Sequence, residues 1–190
     1  MSQSDILDLF RQTGALLHGH FVLRSGLHSR EFFQCALLLR ETKVAERVCE
    51  LLADQLRATG FDSVISPALG GILVGQEVAR QLGKPHIFTE KNDTGALVLR
   101  RGFTIKPGER FAVIEDVVTR GGRLMETVDI VRQHGGVVVA AASLVNRSGG
   151  ELPVMDFPFH GLVELNPETF APDALPADLA GTPAIKPGSK

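Results

Sequence analysis

Glu115 and Asp116 stand side by side at the end of an apolar run, Phe111-Ala112-Val113-Ile114, and are followed by Val117-Val118-Thr119-Arg120-Gly121-Gly122-Arg123. The run reads as a buried strand and the stretch from Gly122 to His134 as a helix, so the acids fall where a strand of an open α/β sheet gives way to its loop. That is the usual place for a ligand. Adjacent carboxylates there can accept hydrogen bonds from the vicinal hydroxyls of a ribose. The loop behind them presents backbone N–H groups at a helix N-terminus, a setting that favours phosphate. Gly121 and Gly122 let that backbone approach without a Cβ in the way. A Glu-Asp pair alone would read equally as a solvated turn; the whole segment points to a sugar-phosphate site.

The elements that must position this segment can be read outward from it. A helix capped by Ser4 is expected first, with Ile6, Leu7, Leu9, Phe10, Leu16 and Leu17 on its apolar face. Short strands separated by Ser25-Gly26 should occupy Phe21 to Leu39, and a helix should run from Thr42 to about Ala58. Strand then alternates with helix: Ser63 to Ser66, Gly71 to Leu82, His86 to Thr89, a hairpin from Ala96 to Phe103, Arg110 to Ile114, Gly122 to His134, and Val137 to Val145. β-branched strands without polar alternation suit a sheet covered on both faces. The alternation itself implies an α/β fold with a mostly parallel central sheet flanked by helices. Residues from Asn166 onward carry half of the ten prolines and are expected to wrap the surface or to lack order.

Taken together, the segment around Glu115 and Asp116 resembles the phosphoribosyl pyrophosphate signature of type I phosphoribosyltransferases, and is especially similar to that of the orotate enzymes. The resemblance spans residues 4 to 165. It implies the type I fold as a single domain over 1–165 with a small N-terminal hood over about 1–40, leaving 166–190 as a proline-rich tail. It also implies that Glu115 and Asp116 contact the ribose hydroxyls while Val117, Val118, Thr119, Arg120, Gly121, Gly122 and Arg123 hold the 5′-phosphate. Arg120 and Arg123 depart from the family, which usually has smaller hydroxyl residues there; both guanidiniums are expected to point outward while backbone amides do most of the cradling. Ser66-Pro67-Ala68-Leu69-Gly70-Gly71 looks like the family's pyrophosphate loop, with Leu69 and Gly70 at the leaving group.

Three further segments are similar to the orotate enzymes. Leu23 to Gln34 resembles their hood, which implies that Phe32 and Phe33 line the orotate pocket and that Arg24 reaches the substrates. Ser143-Leu144-Val145-Asn146-Arg147 places an arginine at a strand end, and a planar guanidinium can hold the orotate carboxylate bidentately. Thr119 matches a further orotate contact. Phe88 to Phe103 resembles a mobile catalytic loop and hairpin, with Lys91 as the candidate for neutralising pyrophosphate charge. The implied reaction joins orotate to phosphoribosyl pyrophosphate in pyrimidine (UMP) biosynthesis. Magnesium would be carried mainly by the pyrophosphate, and a homodimer is implied.

Bulk properties agree with this and exclude other classes. The chain has 190 residues, 44% of them hydrophobic, and a formal net charge of -2, so no nucleic-acid partner or membrane surface is expected. No apolar run approaches the roughly 20 residues of a membrane span, and the polar start Ser2-Gln3-Ser4-Asp5 lacks a signal pattern; the expected location is the cytoplasm. Cys35 and Cys49 are expected to be buried thiols, and no protein-built metal site is expected from the scattered histidines. Two rivals share the signature. A purine-base phosphoribosyltransferase would not need Arg147, and a non-catalytic phosphoribosyl pyrophosphate sensor that regulates transcription would be expected to add a DNA-binding extension or a basic surface.

Overall fold

Ser2, rather than Ser4, opens the first helix of the computed structural model, which describes residues 1–23 and 25–187. From Ser2, Asp5 lies three positions on, so the Ser2 hydroxyl accepts from the Asp5 amide and the Asp5 carboxylate accepts from the Ser2 amide. Helix α1 (Gln3–Gln12) ends earlier than its apolar pattern suggests. Gly14 takes a left-handed φ of 68°, and the amides of Gly14 and Ala15 turn back to the carbonyls of Arg11 and Phe10. Leu16 and Leu17 therefore begin β1 (Leu16–Val22), which pairs antiparallel with β2 (His28–Phe33).

The chain forms two compact units, one of residues 1–38 with 166–190 and one of residues 39–165. In the first, the segment from Asn166 contributes a strand of its own. Strand β9 (Thr169–Phe170) lies antiparallel on the free side of β2. Arg30 donates to Asp178 and Glu168 at 2.7 Å each and stacks 4.7 Å from the Phe170 ring centre. His20 Nδ1 lies 3.0 Å from the carbonyl of Thr182. These contacts fasten the proline-rich segment, which composition alone reads as loose.

The second unit is an α/β layer structure. After α2 (Cys35–Leu39), α3 (Thr42–Leu56) leads to β3 (Ser63–Pro67), α4 (Gly70–Leu82), β4 (His86–Lys91), β5 (Leu97–Leu99), β6 (Arg110–Val118), α5 (Gly122–Gln133), β7 (Val137–Asn146) and β8 (Phe159–Glu164). The sheet order is β5-β4-β3-β6-β7-β8, parallel throughout except for β5, which turns back against β4. The hairpin is thus β4–β5, with its turn at Asn92–Ala96, and not a separate one beginning at Ala96. Asn92 makes the turn: its Oδ1 accepts from the Thr94 amide, the Thr94 hydroxyl and the Ala96 amide.

Alternation along the strands distributes the core between the sheet's two faces. Ile65, Phe111 and Val113 pack with Leu124, Val128 and Val131 of α5. Ser66, on the opposite face, meets α4. There Ser66 Oγ lies 2.5 Å from His86 Nε2, and His86 Nδ1 is 3.2 Å from Gln76 Oε1. Burial holds the His86 imidazole neutral by lowering its pKa to about 4. Gly75 roofs this pair, for a Cβ there would stand 2.1 Å from Ser66 Oγ and 2.7 Å from His86 Nε2. Cys35 and Cys49 are both buried, and burial pushes the Cys49 thiol up to about 12.

Because Ser66 is fully buried and bonded to His86 at this contact, Gly75→Ala is expected to destabilise the fold by about 1–3 kcal/mol. A denaturant titration checks it, and a midpoint equal to that of wild type would show that the contact can relax.

Candidate active site

Parallel strands bring their carboxyl ends to one edge of the sheet, and four of them carry the residues singled out in the sequence. β4 ends at Lys91, β3 runs into the turn Ala68-Leu69-Gly70, β6 bears Glu115 and Asp116, and β7 leads to Arg147. The Arg147 amide donates to the carbonyl of Val118 at 2.7 Å, which extends the β6–β7 ladder past the last paired residues. Lys91, Thr119 and Arg120 are exposed, whereas Val118 and Gly121 are buried. The peptide between Ala68 and Leu69 is cis, and Leu69 is exposed.

Successive strand residues face opposite sides, so the two acids aim at different helix N-termini. Asp116 turns toward α4, where a Cβ on Gly70 would lie 2.2 Å from Asp116 Oδ2. Only glycine permits this approach, and it sets the carboxylate beside the positive end of the α4 dipole. Glu115 turns to the α5 side and is buried, at 8% exposure. Burial raises its pKa well above the ordinary 4.5, the negative charge of Asp116 raises it further, and the Arg123 guanidinium opposes both.

The turn into α5 is shaped by Gly121, whose φ of 73° is left-handed and whose Cβ would meet Pro153 Cδ at 3.0 Å. The first-turn amides of a helix have no partner within it, which leaves those of α5 available to an anion. Arg123 runs along α5 to Glu126, with Nη1 donating to Oε2 at 2.6 Å and both Nη atoms within 3.4 Å of the Gly95 carbonyl. Glu126 is a neighbour the sequence reading passed over, although its i,i+3 spacing from Arg123 was visible.

Phe32 and Phe33 belong to the first unit. Phe33 is buried against Phe10, with ring centres 5.5 Å apart, and Phe32 is half-buried against Phe21 at 5.8 Å. Arg24 lies outside the described residues. A surface depression of about 440 Å³ opens at the amino ends of the strands among Asp62, Ser63, Pro85 and Glu109, opposite the edge that gathers the acids. No group of three or more His, Cys, Asp or Glu able to hold a metal occurs among the described residues. A pair of carboxylates beside a turn of unpartnered helix amides would fit an Mg²⁺ that takes most of its ligands from phosphate and water oxygens.

Comparison with known proteins agrees with this geometry. Residues 38–168 match the family model described as the phosphoribosyl transferase domain. Over nearly its whole length the chain is 49% identical to the orotate phosphoribosyltransferase of Carboxydothermus hydrogenoformans, covering 98% of this chain and 97% of that protein. Identity is also 49% to the orotate phosphoribosyltransferase of Sphingopyxis alaskensis, covering 100% and 98%. Among solved structures, the orotate phosphoribosyltransferase of Aeropyrum pernix superposes with a TM-score of 0.67 at 26% identity, over 77% of this chain and 84% of that one. The chain belongs to the phosphoribosyltransferase family, and within it to the orotate phosphoribosyltransferases.

The buried acid has a consequence for stability. The folded protein holds the Glu115 proton to higher pH than the unfolded chain does, so the contribution of this group to stability falls as pH rises above 4.5. Glu115→Gln removes that slope. Without ligand, the variant is expected to gain in melting temperature over wild type from pH 5 to pH 8. A difference that stays constant with pH would show that Glu115 ionises as readily in the folded chain as in the unfolded one.

Proposed function

We propose that this chain transfers ribose 5-phosphate from phosphoribosyl pyrophosphate to orotate, releasing orotidine 5′-monophosphate and pyrophosphate in pyrimidine nucleotide (UMP) synthesis. The observation that carries the reading is the meeting of the acid pair, two helix N-termini and Arg147 at one sheet edge, in a chain whose full-length relatives are orotate enzymes. The ring nitrogen of orotate attacks ribose C1 as the bond from C1 to the pyrophosphate oxygen breaks. Charge develops on the sugar as an oxocarbenium-like centre. Orotate is already anionic and pyrophosphate leaves readily, so positioning and electrostatics suffice.

In this reading Glu115 and Asp116 hold the ribose hydroxyls, and the turn from Val117 to Arg123 seats the 5′-phosphate on the α5 amides. Leu69 and Gly70 meet the pyrophosphate through the backbone at the start of α4. Lys91 neutralises charge on the leaving group. Arg147 grips the orotate carboxylate, with Thr119 beside it. Mg²⁺, carried by the pyrophosphate, would supply further neutralisation.

The family resemblance supports two broader inferences. The enzyme works as a homodimer, to which the exposed Leu69 and Leu73 at the start of α4 would contribute apolar surface. It resides in the cytoplasm, and no described helix is long and apolar enough to cross a membrane. Sedimentation at micromolar concentration tests the first of these; a monomer would refute it.

Purified protein with orotate, phosphoribosyl pyrophosphate and Mg²⁺ should consume the ultraviolet absorbance of orotate. Turnover of a purine base with no orotate consumption would refute the assignment. Arg147→Ala should raise the KM for orotate about 10- to 100-fold, as expected for a lost charge-assisted contact, and leave that for the sugar donor nearly unchanged. Asp116→Asn should lower kcat while leaving the fold intact.

A further inference from the structure

The hairpin that carries Lys91 is tied to the phosphate-binding helix through a carboxylate and a guanidinium. Glu126 Oε1 accepts from the Leu97 amide at 2.6 Å, while Oε2 accepts from Arg123 Nη1, also at 2.6 Å. Arg123 in turn reaches the Gly95 carbonyl with both Nη atoms, at 3.3 and 3.4 Å. Strand register makes the grip informative: Leu97 is the residue paired across the hairpin with Lys91. Paired residues of an antiparallel ladder have Cα atoms only about 4.5–5.5 Å apart, so whatever fixes the Leu97 backbone fixes the root of the Lys91 side chain.

The hairpin is also braced internally. Asn92 ties its turn through three hydrogen bonds, and at its base Arg101 grips Glu90 with bonds of 2.6 and 2.7 Å. β4 is paired with β3 as far as Thr89, so a contact at Leu97 orients the part of the hairpin that lies beyond Thr89 and carries Lys91. Beside the buried Leu97 side chain, that contact is a half-buried, charge-assisted bond. Arg123, which ends the phosphate turn, is thereby committed to the hairpin side.

We propose that Arg123 and Glu126 form a clamp that sets the position of Lys91 relative to the phosphate turn, making both of them positioning residues for the transfer reaction. The clamp rests on the functional reading above for its purpose, though not for its existence. It also gives a physical reason for an arginine at 123: a shorter hydroxyl side chain there would not span to Gly95 and Glu126.

The test is a double-mutant cycle read beside amide hydrogen exchange. Glu126→Ala should speed exchange at Leu97 and lower kcat about 10- to 100-fold, the range seen when a catalytic group is misplaced by about an ångström, with little change in either KM. Because the clamp acts through Lys91, Lys91→Ala should cost far less in the Glu126→Ala background than in wild type. Glu126→Gln, which keeps an acceptor for the Leu97 amide and gives up the charge that holds Arg123, should unfold like wild type and show an intermediate loss. Additive effects of Lys91→Ala and Glu126→Ala would overturn the proposal, as would faster exchange at Leu97 with unchanged kcat. A wild-type protein that leaves orotate untouched would instead overturn the functional reading, and exchange at Leu97 would still report whether the clamp exists.

Discussion

Glu115 is almost removed from water, and the negative charge of its neighbour makes ionising it harder still. The second unit is arranged so that this pair can be kept. A strand sends consecutive side chains to opposite faces, so one acid leans to each layer of helices while the two carboxyls stay within reach of each other. Gly70 vacates the space that Asp116 enters, and Arg123 offsets part of the field at Glu115. The parallel sheet then brings Lys91, Leu69, Gly70 and Arg147 to the same edge, because parallel strands end together. A buried acid with only the Asp116 amide as a donor among the described residues is a poor way to stabilise a domain; in the proposed reaction a ribose hydroxyl would be a further partner.

Local pattern made much of this legible. The apolar run before Glu115, the glycines after it and the following helical period give the strand and helix without any tertiary information, although β6 does not stop at Ile114 but runs through both acids to Val118, paired with β7. Helix α4 was readable for the same reason, with Gly83 in the left-handed region as its stop. Long-range hydrogen bonding was not legible. Nothing in the residues near Asn166 announces that Thr169 and Phe170 will pair with β2, since two residues carry no period. The end of α1 was missed because Leu16 and Leu17 continue a helical spacing, and Gly14 decides the matter through the backbone alone.

The two arginines of the phosphate turn show how a bulky side chain fits a tight loop. Arg120 is exposed, and Arg123 leaves along the axis of α5, so neither guanidinium crowds the first-turn amides. The first turn of α5 is therefore left to its backbone, whose geometry rests on Gly121. Sequence comparison of the turn alone would have counted both arginines as departures from a pattern. In the fold one is solvated and the other is used elsewhere.

Strand β9 covers the outer edge of β2, a surface of amide and carbonyl groups that would otherwise be open to pairing with another chain. Shortening the polypeptide before Glu168 to obtain a smaller, better-behaved domain would uncover that edge and strip Arg30 of both its carboxylates. The shortened material would be prone to stick to itself by strand addition. Purification handles belong beyond residue 187 or at the other terminus, where they leave this seam closed.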